Sequence, residues 1–150
     1  MNLDIDQSGR VENRTEPTVL AFANGIQFTI RLEKATKQKL LRELGRIKPD
    51  WKKKQQHLTI FSILMFLLIK DHLKSDTYIT IDREFDGQDE FIRDHVMALC
   101  RKHNIPVRYD QLQFALIGKK SSAHAAAINT YRGNIKPNRE LKAEEVLAEL

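Results

Sequence analysis

Thr77-Tyr78-Ile79-Thr80-Ile81-Asp82-Arg83-Glu84-Phe85-Asp86-Gly87 is the stretch on which the fold turns. A β-branched run bounded by Ser75-Asp76 and by Gly87 reads as a buried strand over residues 77–82. The amphipathic segment from Gln88 to His103 follows at once, with Ile92, Val96, Leu99 and Cys100 on one side, so the unit is strand then helix. A second such unit lies downstream. Leu112 to Ile117 is strand-like, Gly118-Lys119-Lys120-Ser121 is a turn, and residues 122–131 form an alanine-rich helix able to pack close to a sheet. Consecutive strand–helix units favour parallel strands, which bring both strand ends to one rim, where α/β proteins bind ligands.

Upstream the pattern changes. Thr18 to Ala23 and Ile26 to Arg31 are strand-like and flank Asn24-Gly25, a signal for a two-residue hairpin because both positions tolerate positive φ. Residues 35–46 read as an amphipathic helix ended by Gly45 and Pro49, and residues 55–74 as a second helix, apolar around nearly its whole circumference and so buried in the core or at a homodimer contact. Residues 1–16 are a polar tail or a short leading strand, and a terminal helix spans 143–149. Residues 17–150 then make one α/β domain, a mixed sheet that starts with an antiparallel hairpin and is flanked by helices.

Composition narrows the class. The chain has 150 residues, 41% hydrophobic and 30% charged, enough apolar content for a real core. Cys100 is the single cysteine, which excludes a disulfide framework and a cysteine-rich zinc site. The longest apolar run, Leu58 to Ile69, is too short to span a bilayer, and the first residues have neither a basic start nor an apolar core. A soluble, cytoplasmic protein is expected. The net charge of +5 is unevenly spread. Between Arg31 and Lys54 ten basic residues stand against three acids, while the carboxylates gather in 82–94 and after Glu140. Lys39, Arg42 and Arg46 share a helix face at three- and four-residue spacing, a stripe suited to nucleic acid or to plain solvation.

Three groups of residues carry candidate chemistry. Asp82 ends its strand and Glu84 follows two residues on; alternate residues of an extended chain share a face. Carboxylate oxygens on one edge suit Mg2+ or Mn2+. Glu90, on the next helix, could add a ligand, whereas Asp86 is placed to cap that helix. Lys119, Lys120 and Ser121 open the last long helix, where free N–H groups favour an anion such as phosphate. This is not a Walker A loop, because position 113, where that loop needs glycine, is Gln. His124 sits in the first turn of the same helix, where the positive helix end favours a neutral ring able to accept a proton.

The run Ile79-Thr80-Ile81-Asp82-Arg83-Glu84-Phe85 resembles the strand–Asp–aromatic signature of ribonuclease H-like nucleases. That resemblance implies a mixed sheet with antiparallel leading strands, and an active site of carboxylates holding divalent metal, sometimes assisted by a late histidine. Asp82 would match the acid of the central strand, Glu84 or Glu90 a second, and His124 the late histidine. The family also has an acid on its first strand. The strands 18–23 and 26–31 contain none, so Glu12 or Glu16 would have to come from an earlier strand. Two functional readings follow: a metal-dependent nuclease, or a nucleic-acid-binding or adaptor module without chemistry.

Overall fold

The computed structural model describes residues 1–150. Six strands form one mixed sheet: β1 (Asn2–Ser8), β2 (Thr18–Ala23), β3 (Gln27–Leu32), β4 (Tyr78–Asp82), β5 (Leu112–Ala115) and β6 (Arg139–Glu140), in the spatial order β5-β4-β1-β2-β3-β6. Five helices accompany them: α1 (Lys34–Ile47), α2 (Lys53–Ile69), α3 (Asp89–Lys102), α4 (Ser122–Tyr131) and α5 (Ala143–Leu147). β1, β2 and β3 run antiparallel in sequence, β4 and β5 run parallel to β1, and β6 is parallel to β3.

Residues 2–8 are the leading strand, and that strand lies inside the sheet with a partner on each side. Of the two expectations for residues 1–16, the leading strand is the one seen, and it belongs to the same sheet as the strands that follow. The β2–β3 turn has three residues rather than two. Pairing closes at Ala23 and Gln27, Asn24 and Gly25 carry positive φ, and Ile26 lies in the turn, 43% exposed.

Strand alternation divides the sheet into two unlike faces. Leu3, Ile5, Leu20, Phe22, Ile30, Leu32, Ile79 and Ile81 belong to one continuous core with Leu40, Leu41 and Leu44 of α1, the apolar side of α3, and α2. Every residue from Leu58 to Ile69 is buried within the single chain, which explains a helix apolar on all sides. The opposite face carries Asp6, Ala21 and Thr29 and is covered over β1–β3 by α4. Ala126 and Ala127 pack on Ala21, so small side chains let this helix lie close to the strands. No helix is long and apolar enough to cross a membrane. A 3-10 turn at Tyr109–Gln111 leads into β5.

Candidate metal centre

Parallel pairing of β1 with β4 sets Asp4 beside Thr80 and Ile5 beside Ile81, so the next residues along, Asp6 and Asp82, become neighbours on the α4 face. Glu84 continues past the end of β4. One carboxylate oxygen from each of Asp6, Asp82 and Glu84 lies within 4.8 Å of the others. The rim is completed by β5, also parallel to β4, whose end leads into the Gly118–Ser121 turn.

Each carboxylate is held differently. Asp6 is buried, 4% exposed; its Oδ1 accepts from the Gln7 N–H at 2.8 Å, and its Oδ2 lies 2.8 Å from His124 Nδ1. Burial raises the Asp6 carboxyl above its ordinary range, against the Gln7 and His124 contacts, and the Asp82 charge adds to the rise. Asp82 Oδ1 accepts from the Ile117 N–H at 2.7 Å, which ties the end of β4 to the segment following β5. Glu84 is pushed up to about 8, first by burial, then by its hydrogen bond with Asp82 and by the charges of Asp82 and Asp6. Arg10 acts the other way. Three converging carboxylates that cannot all ionise comfortably, offering only hard oxygen donors, fit a divalent cation of the Mg2+ or Mn2+ kind.

His124 stands in the first turn of α4. Its N–H donates to Ser121 Oγ at 3.0 Å, so Ser121 is the cap of α4. The contact turns Nδ1 to Asp6; in a neutral ring that donates from Nδ1–H to Oδ2, Nε2 carries the lone pair. Lys119 and Lys120 are exposed in the turn before α4.

The remaining expected residues lie elsewhere. Glu90 is not part of the cluster: its Oε1 accepts from Arg93 Nη1 at 2.6 Å and from the Tyr109 hydroxyl, at the β5 side of α3. Asp86 does not cap α3, whose N-cap is Gln88 with no side-chain bond. Lys39 pairs with Glu144 at 3.1 Å and Arg46 with Glu43 at 2.8 Å, whereas Arg42 is exposed without an ion-pair partner. Asp6 escaped the sequence reading. The signal for it was Leu3 and Ile5 alternating with Asn2, Asp4 and Asp6, a short strand pattern inside a polar terminus.

The chain matches no protein-family model, no curated protein and no solved structure.

Proposed function

We propose that the protein is a divalent-metal-dependent phosphodiesterase acting on nucleic acid, built on a ribonuclease H-like fold. The convergence of Asp6, Asp82 and Glu84 carries this reading. Antiparallel leading strands followed by parallel strand–helix units support its fold half, and Asp6 provides an acid on the first strand.

Asp6, Asp82 and Glu84 would hold the cation. Bound there, Mg2+ or Mn2+ would lower the pKa of a water molecule and neutralise charge on a phosphate oxygen. The protein's own groups do the rest. The Ile117 N–H fixes the Asp82 carboxylate, and the Gln7 N–H fixes that of Asp6. Asp6 orients the His124 ring, so that Nε2 can take a proton from the attacking water or carry one to the leaving oxygen. Lys119 and Lys120, with the N–H groups at the start of α4, favour a phosphate on the same rim.

The test is cleavage of labelled single strands, duplexes and RNA–DNA hybrids with Mg2+ and with Mn2+. Asp82→Asn should abolish turnover while the far-ultraviolet circular dichroism stays that of the wild type, because the amide keeps the shape and loses the charge. His124→Ala should slow turnover about 10²–10⁴-fold, the usual effect of a lost acid–base group, and still bind metal. A wild type that cleaves none of these substrates and takes up neither cation would leave a non-catalytic nucleic-acid-binding module as the function.

A further inference from the structure

The loop between β1 and β2, residues 9–17, is held far more firmly than a plain connection requires. Gly9 has φ +79°, and a Cβ there would lie 2.0 Å from the Pro17 carbonyl oxygen and 2.9 Å from the Tyr131 ring, so only glycine fits. Both main-chain groups of the next residue are fixed. The Arg10 N–H donates to Glu16 Oε1 at 3.2 Å, and that same carboxylate accepts from the Tyr131 hydroxyl at 2.8 Å. The Arg10 carbonyl accepts from Lys37 Nζ at 3.0 Å. Lys37 is wholly buried and also donates to the Asn13 carbonyl at 2.6 Å and to Thr18 Oγ1 at 3.0 Å. A buried ammonium whose three bonds all go to neutral oxygens is costly to maintain; burial pushes it down to about 8. What it secures is the backbone of the loop at Arg10 and at Asn13.

The Arg10 side chain is treated in the opposite way. It is 69% exposed, and its one ionic neighbour is Glu12 at 3.7 Å. It stands four residues past Asp6, in the loop that leaves the end of β1, and because β1 is parallel to β4 that loop starts on the rim to which β4 brings Asp82. A rigid stem with an exposed, loosely paired guanidinium on the rim of an acidic centre is the arrangement that positions a bidentate donor for a phosphate.

We propose that Arg10 is a substrate-contacting residue that binds a phosphate of a nucleic-acid strand beside the Asp6–Asp82–Glu84 centre, with Lys37 as the residue that positions it. This rests on the phosphodiesterase reading above, and the experiment separates the two. Mn2+ uptake is measured by calorimetry. Binding of a short labelled DNA single strand is measured by anisotropy across a salt series, with Ca2+ in place of Mn2+ to suppress cleavage.

Arg10→Ala should bind Mn2+ at least as tightly as the wild type. It should bind the strand about 10- to 100-fold more weakly, as expected for a lost charge-assisted hydrogen bond. Its log–log salt slope should be shallower by about 0.7. Arg10→Lys should recover the slope and part of the affinity, since the charge returns without the planar fork. Lys37→Met should weaken strand binding in the same direction, with faster hydrogen exchange confined to the amides of 9–17 and Mn2+ uptake retained. If Arg10→Ala takes up Mn2+ and binds the strand with wild-type affinity and slope, the Arg10 role is wrong and the metal centre stands. If the wild type takes up no Mn2+, the phosphodiesterase reading fails and the Arg10 role with it.

Discussion

At the scale of single residues, Glu84 is the group whose behaviour most directly reports the centre. Its carboxyl is pushed up to about 8 because it is buried beside two other acids. A folded-state pKa above the unfolded one means that the protonated group suits the fold. That contribution is complete below Glu's ordinary value near 4.5 and is lost as pH rises through about 8. Metal-free protein should therefore lose thermal stability across this window. Glu84→Gln, which cannot ionise, should not show that loss. A cation occupying the centre displaces the Glu84 proton, so Mn2+ binding at pH 7 should release about one proton, and the release should vanish well above pH 8. Calorimetry in buffers of different ionisation enthalpy measures it; uptake without release would mean that the ion binds elsewhere. Asp82 and Glu84 were readable from sequence because a β-branched run leads directly to them. Asp6 was hidden because its strand offers only Leu3 and Ile5 as apolar markers, its other face being polar where the centre is built. Glu90 misled because spacing places it on a helix face without saying where that face points, and Arg93 and Tyr109 claim it.

At the scale of elements, periodicity separated α2 from the other helices and the structure supplies the reason. Its residues 58–69 lie between the sheet, α3, α1 and α5 of one chain, so no part of its circumference needs to be polar. Phe66 is fully buried and lies tilted against His103 at 5.0 Å between ring centroids. Phe66→Ala should cost about 3–5 kcal/mol, and Leu64→Ala about 2–5 kcal/mol, in chemical denaturation. Wild-type midpoints in both variants would contradict a core position for this helix. β6 left no readable trace, since two residues have no periodicity. It forms because Asn138 exchanges hydrogen bonds with Thr29, its Oδ1 accepting from Thr29 N–H at 2.9 Å and its N–H donating to Thr29 Oγ1 at 3.0 Å. The other sheet edge is protected by arginines: Arg93 donates to the Leu112 carbonyl at 2.9 Å and Arg83 to that of Phe114 at 3.4 Å, which occupies acceptors that a foreign strand would need.

At the scale of the whole molecule, the charge asymmetry so plain along the sequence is partly cancelled by folding. The basic segment 31–54 and the acidic C-terminal segment are far apart in the chain, yet β6 and α5 return beside β3 and α1. Arg31 meets Glu140 at 2.8 Å, Lys39 meets Glu144 at 3.1 Å, and Lys37 is buried altogether. Lys34, Arg42, Lys52, Lys53 and Lys54 are exposed without an ion-pair partner. If α1 touches a polyanion, the free cations should therefore dominate. Exposed ion pairs contribute only about 0–1 kcal/mol to stability, so Lys39→Ala and Arg42→Ala should fold equally well and can be compared directly. Arg42→Ala should make the log–log salt slope for single-strand binding shallower by about 0.7, because one phosphate contact is lost. Lys39→Ala should change it less, because Glu144 already neutralises that charge locally. Combining Lys39→Ala with Glu144→Ala removes the pair with no change of net charge and should restore the wild-type slope. Equal slope changes for Lys39→Ala and Arg42→Ala would show that the pairing does not screen α1 from the strand. No change in any of the three would place α1 outside the interface and leave binding to the rim that carries Arg10, Lys119 and Lys120.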